Sequence, residues 1–210
     1  MISKIFIFTL AITAFLFPQQ DFRIVASNQT SIIIEYTPQF IDTSIKKIDD
    51  QEFRSLGLAF GYVDESLEWG IPEVPERRFV IGVPSEFGNS IKVLSSTYKV
   101  INGKVLPIAS YEKENFLDAV KYEISPEYYN YADFPELASF GDYGIARGLG
   151  VQDIRIFPVK FDVNTNTIKL YSKIVIQIDY ANAQVTGSKT EDNLLKYSVI
   201  QFGHICSGRN

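Results

Sequence analysis

Two stretches in the last third of the chain constrain its fold more than any others. "VQDIRIFPVKFD" (151–162) and "IKLYSKIVIQIDY" (168–180) alternate apolar and polar residues, and the polar run "DVNTNT" (162–167) turns the chain between them. Ile154 and Ile156 share a face of the first stretch, and the alternation resumes past Pro158 with Val159 and Phe161. Ile168, Leu170, Ile174, Ile176 and Ile178 share a face of the second, backed by Lys169, Tyr171, Lys173, Val175, Gln177 and Asp179. Successive side chains point to opposite faces only in a strand. A dry face backed by a largely wet one is the pattern of an antiparallel sheet with one side in water.

The same reading extends upstream. Arg23 to Ala26 and Ser31 to Thr37 form two short strands around the turn Ser27 to Thr30. Residues 38–68 are mixed: "IKKIDDQEF" has some helical spacing, while "FRSLGLAFGYVDESLEW" reads as strand and turn. "WGIPEVPERRFVIGVP" (69–84) follows, with three prolines and a glycine leading into an alternating strand that points Phe79, Ile81 and Val83 one way. Proline fixes φ and holds the preceding residue extended, so this run is preset as extended chain. Asn89 to Ile101 is a long strand. Asn102-Gly103 is the strongest two-residue hairpin signal in the chain, and it predicts that "KVLPIA" returns as the partner, with Pro107 at a strand end or edge. Tyr111 to Phe140 keeps no period of two and reads as a long excursion with one helical turn near Asn115 to Tyr122. With 12 Tyr, 16 Phe and many β-branched residues, the sum is eight to ten short strands. The fold expected is an all-β, antiparallel β-sandwich with one long inserted loop.

Residues 1–20 read as a signal-peptide helix. Lys4 supplies the positive start and Ile5 to Phe17 an apolar run shorter than the roughly 20 residues a bilayer span needs. The expected divisions are the signal peptide (1–20), a sandwich domain (21–182), and a linker with a ragged C-terminal tail (183–210). The mature chain is then expected outside the cytoplasm, secreted or in a bacterial cell envelope, with no bilayer-spanning segment. A net charge of −5 argues against a nucleic-acid partner, which needs a basic face to displace counterions.

The search for chemistry yields little. The chain has one His and one Cys, His204 and Cys206. They lie two residues apart near the end, with no third group to orient them. "DVNTNT" begins like a calcium loop, but Thr167 and Lys173 stand where glycine and the bidentate glutamate are needed. "GDYGIARGLG" (141–150) has neither spacing of a phosphate-binding loop, and it reads as flexible turns approaching a strand. Arg77 and Arg78 follow Glu73 and Glu76 as a solvated charge cluster. The tyrosines Tyr122, Tyr128, Tyr129 and Tyr131 fit a contact surface and ordinary packing equally well. The residues point to no enzyme, no cofactor and no metal.

The order of landmarks carries a resemblance. Gly70-x-Pro72-x-x-Pro75 leads into an alternating strand ending Gly82-Val83-Pro84. Later come Ile154, Ile156, Pro158, Val159, Phe161 and Asp162, a turn, then Ile168, Leu170 and Tyr171. From about Phe22 to Tyr180 the chain resembles the propeptide of gingipain-family bacterial cysteine peptidases, a family with members in the type IX secretion system. The resemblance implies a sandwich that folds on a peptidase domain, in the same gene or in trans. It would cover the cleft, keep the enzyme latent until cut away, and assist folding and export. It also implies that the loop 109–134 presents a basic side chain, Lys113 or Lys121, with Tyr128 and Tyr129 as further contacts. Gly70, Pro72, Pro75, Pro158 and Asp162 would then be structural. Two other readings stand beside it: a secreted carbohydrate-binding or adhesive sandwich, and a non-inhibitory component of an outer-membrane secretion machine.

Overall fold

The computed structural model describes residues 21–63, 68–114, 117–181 and 199–200. The leader expected over 1–20, most of the expected linker and tail, and the pair His204 and Cys206 lie outside the described residues. In chain order the strands are β1 (Phe22–Ser27), β2 (Ser31–Tyr36), β3 (Phe40–Asp42), β4 (Ile45–Ile48), β5 (Gln51–Arg54), β6 (Gly57–Leu58), β7 (Arg77–Gly82) and β8 (Ser90–Asn102). They continue with β9 (Lys104–Val105), β10 (Ser110–Glu114), β11 (Leu117–Lys121), β12 (Ala138–Ala146), β13 (Leu149–Ile156), β14 (Val159–Asp162), β15 (Thr167–Asp179) and β16 (Val199–Ile200). A short 3-10 helix, Pro126–Asn130, stands between β11 and β12.

Two sheets face each other, as the alternation predicts. In the first, β15 is the hub. Its N-terminal part pairs with β14, its C-terminal part with β2, and β8 runs along its whole length on the other side. β1 extends this sheet beyond β2. The second sheet runs β12-β13-β7-β16. Ile32, Ile34, Ile174, Ile176 and Ile178 from the first meet Phe79, Ile81, Ile154 and Ile156 from the second in a dry interior. Each such side chain contributes roughly 1.5–3 kcal/mol on leaving water. A second core lies farther along β15, where Ile168, Leu170, Val159 and Phe161 enclose Phe53, Leu56, Val105, Leu106 and Tyr128. The β14–β15 hairpin forms around the expected turn, with Phe161 opposite Ile168 and Asp162 opposite Thr167.

Three local expectations are corrected. Asn102-Gly103 does not close a hairpin. β8 pairs with β15, and past Gly103 (φ +141) the chain crosses to pair β9 in parallel with β5. Val105 and Leu106 are fully buried in the second core, and that burial outweighs the local turn preference. "IKKIDDQEF" is not helical: β4 and β5 form a hairpin around Asp49 and Asp50, both at positive φ, the geometry a two-residue hairpin turn needs. The excursion after Tyr111 is not one loop with a helical turn near Asn115 to Tyr122. Leu117–Lys121 is strand β11, paired with β10. The expected linker-and-tail segment also contributes structure, since Val199 and Ile200 pair with Ile81 and Val80 of β7.

Candidate functional site

Among the described residues the β10–β11 hairpin is a two-stranded ribbon that joins no larger sheet. It therefore depends on its stem, and the proline-rich run builds that stem. The Gly70 amide donates to the Ile108 carbonyl, the Ile108 amide to Ile71, and the Ser125 amide to Gly70. Glu73 donates to Leu106, and Pro72 bridges Pro107. One extended strip thus clamps both legs of the hairpin, Ile108 before β10 and Ser125 after β11. Gly70 sits at φ +82, and a Cβ there would come within 2.7 Å of the Ser125 nitrogen. Only glycine fits that approach. Pro72 and Pro75 are both buried, so the prolines stiffen a strip whose task is to hold a projection.

The expected contact residues fare differently. Lys113 lies on β10 opposite Asp118. Lys121 is exposed at the end of β11, with its Nζ 2.7 Å from Glu123. Tyr129 is 54% exposed on the 3-10 helix. Tyr128, its neighbour, is fully buried; its hydroxyl donates to the Val105 carbonyl at 2.5 Å, and its ring meets Phe53 and Phe161 edge-on. Burial pushes its phenol pKa up. Tyr128 thus anchors the segment after the hairpin, while Tyr129 faces solvent.

A second projection was not singled out from the sequence. β12 and β13 pair through Ala146 and Leu149, leaving Arg147-Gly148 as a two-residue turn with φ +52 and +78. Arg147 is exposed at its tip, Ile145 is 75% exposed and Leu149 is exposed beside it. "GIARGLG" is therefore a tight, presented arginine with an apolar flank rather than a flexible approach. Arg-Gly between two short alternating runs was the available signal.

The remaining singled-out positions lie in the body of the fold. Pro158 is buried, and its carbonyl accepts from Tyr171. Asp162 spends both carboxylate oxygens on its own turn, accepting from the Asn164 amide at 2.9 Å and the Thr165 hydroxyl at 3.0 Å. Arg77 and Arg78 are not a loose solvated cluster. Arg77 is buried with Asp21 at 2.6 Å. Arg78 and Arg155 both hold the buried carboxylate of Glu76, and Arg78 stacks over the Tyr62 ring at 4.6 Å. Asp153 lies near this cluster, and burial pushes its carboxyl pKa up despite the arginines. Among the described residues no group of three or more His, Cys, Asp or Glu is placed to hold a metal ion. Nor is any helix among them long and apolar enough to cross a membrane.

The described residues define a class of domain: a two-layer β-sandwich with a clamped β10–β11 hairpin and a tight β12–β13 turn. The chain belongs to the Propeptide_C25 family, whose model matches residues 16–203. Its fold recurs in a chain of the complex of Porphyromonas gingivalis RgpB pro- and mature domains. That likeness has a TM-score of 0.69 and 17% identity, and covers 85% of this chain and 95% of that one. It recurs again in a structure described as giving insight into zymogenic latency of gingipain K from Porphyromonas gingivalis, with TM-score 0.60, 21% identity and coverage of 78% and 94%. At these identities the likeness shows a shared fold. No curated protein matches the chain.

Proposed function

We propose that this domain is a non-catalytic prodomain that binds a gingipain-type cysteine peptidase and keeps it latent by covering its active-site cleft. Family membership across residues 16–203 is the observation that carries the reading. Solved structures of the same fold, described as a pro- and mature-domain complex and as bearing on zymogenic latency, support it. The partner is a peptidase domain encoded in the same gene or supplied in trans. Residues 1–20 direct export, so the complex acts in the cell envelope or outside the cell.

The mechanism is steric. The sandwich contributes rigidity, and a projection contributes the plug. Two projections offer a basic side chain: the β10–β11 hairpin with Lys113 and Lys121, and the β12–β13 turn with Arg147. A few anchors commonly dominate such an interface.

The test is inhibition of a gingipain-type peptidase by the separately produced chain, read as residual activity against inhibitor concentration. Nanomolar inhibition is expected. Either the double change Lys113→Ala with Lys121→Ala, or Arg147→Ala alone, should weaken it about 100-fold, the loss of one strong anchor. Full peptidase activity at about 10 μM of folded chain would overturn the reading.

A further inference from the structure

Eleven of the thirteen residues of β8 are exposed. Among the described residues the strand pairs with β15 alone, which leaves its outer edge open. Three hydrogen bonds fix which residues face that edge. The Gly103 amide donates to the Asn166 carbonyl at 2.9 Å, and the Thr97 carbonyl accepts from the Ser172 hydroxyl at 3.3 Å. Asn166 and Ser172 lie beside and on β15, so the odd-numbered residues from Thr97 to Gly103 turn their backbone polar groups inward. The Asn102 carbonyl points the other way, to the Arg54 side chain at 3.1 Å. By the alternation of an extended chain, Tyr98 and Val100 therefore turn amide and carbonyl to the open edge. The ladder with β15 skips Leu94, which lies outside this run.

We propose that this edge binds an extended protein segment by strand addition, and that the segment carries a carboxylate between two apolar residues. Tyr98 and Val100 each offer one donor and one acceptor, the main-chain groups that strand addition uses. Their side chains share a face and are half exposed, so apolar residues set opposite them gain cross-strand contact. Lys99, between them, projects from the other face. It is exposed and makes no ion pair among the described residues. With Pro38, Phe40, Tyr98 and Leu170 it lines a cavity of about 290 Å³, which leaves room beside it for an acidic side chain. The charge of the whole edge agrees. Phe87 to Tyr111 contains Lys92, Lys99 and Lys104 and no Asp or Glu, in a chain of net charge −5. Lys92 is already held by Asp179 at 2.7 Å, so Lys99 carries the preference. The same charge disfavours a second copy of the edge, because pairing Tyr98 with Val100 of the copy sets Lys99 against Lys99.

β8 belongs to neither projection, so the inference stands apart from the latency reading. The open edge also makes the backbone of β8 asymmetric toward proline. The Val100 amide faces outward, where its loss leaves the β15 ladder intact, whereas the Ile101 amide faces β15.

Fluorescence anisotropy tests it, with the full chain and a labelled, end-blocked peptide whose core reads Val-Glu-Val-Glu-Val. That core can set Val at both rungs and Glu opposite Lys99. A Kd of about 100 μM or tighter is expected. A control with Lys in place of each Glu should bind at least about 10-fold more weakly, and Lys99→Glu should reverse the preference. Val100→Pro should abolish binding with the melting temperature little changed, while Ile101→Pro should lower the melting temperature sharply. In the chain alone, at a concentration where it sediments as a monomer, the Tyr98 and Val100 amides should exchange at least about 100-fold faster than those of Lys99 and Ile101. Protection of Tyr98 and Val100 in that monomer would put the chain's own residues on the edge, and a dimer lost on Val100→Pro would put a second copy there. Either result overturns the proposal, as do equal binding of the two peptides, binding unchanged by Val100→Pro, or no binding at about 1 mM.

Discussion

At the scale of single residues, adjacent positions carry opposite tasks. Tyr128 is buried and bonded to Val105, whereas Tyr129 is exposed beside it. Tyr128→Phe leaves the Val105 carbonyl without its donor, at a cost of about 1–3 kcal/mol. Tyr128→Ala also opens a cavity and should cost about 3–5 kcal/mol, while Tyr129→Ala should stay within about 0.5 kcal/mol. Urea unfolding of the three variants measures this ordering, and equal costs at 128 and 129 would refute the placement. Asp153 gives a pH signature. Its folded pKa is raised by burial, so the native state holds its proton more tightly than the unfolded chain does. Stability from this group is present below the unfolded pKa, near 3.9, and falls as pH rises through the folded value. Asp153→Asn should therefore raise the melting temperature at pH 7, with the gain shrinking toward pH 3.5. Asp133 behaves in the opposite sense. Lys169 and Lys160, each at 2.9 Å, hold its pKa down, so its contribution is present at neutral pH and lost as pH falls through the folded value. Asp133→Asn should flatten the acid limb of the stability curve, and an unchanged limb would show that the two lysines are inert.

At the scale of elements, the stem of the β10–β11 hairpin is the most exacting piece of local structure. Gly70→Ala places a Cβ 2.7 Å from the Ser125 nitrogen at a positive φ. It should cost at least about 1–3 kcal/mol. Amides of 110–121 should lose protection first, while those of β15 stay protected. Uniform loosening of both would mean that the clamp is not local. The elements also show where sequence reading succeeds. The β14–β15 hairpin was legible because both strands are amphipathic with period two and the turn between them is polar. Asn102-Gly103 misled because turn preference is local, whereas the partner of β8 lies some 65 residues later and Leu106 answers to a distant core. The β10–β11 ribbon is hard to read from the sequence because its strands are five residues each and, among the described residues, pair only with each other. The clamp itself was half legible. The prolines announced an extended strip, but nothing in them named Ile108 and Ser125 as its partners. Arg147 reads as part of a flexible turn in the sequence because its presentation depends on the pairing of Ala146 with Leu149.

At the scale of the whole molecule, two cores share one strand. Ile168 and Leu170 of β15 belong to the second core, while Ile174, Ile176 and Ile178 belong to the first. A strand cannot hold its register on one half while the other half melts without breaking the β8 ladder that runs along both. The cores should therefore unfold together. Trp69, next to the Gly70 clamp, reports on the hairpin stem, and far-ultraviolet dichroism reports on the sheets as a whole. Their urea transitions should coincide, as two-state unfolding requires. Ile176→Ala in the first core and Ile168→Ala in the second should each lower stability by about 2–5 kcal/mol, and each should move both signals together. Should Ile168→Ala shift the Trp69 transition and leave the dichroism where it was, the two cores would be separate units and the hairpin stem could loosen without the sandwich. A single transition makes the body rigid from the Gly70 clamp to the Arg147 turn. The proposed cleft-covering role requires that rigidity, because a projection that melts locally gives back in ordering entropy what its contacts provide.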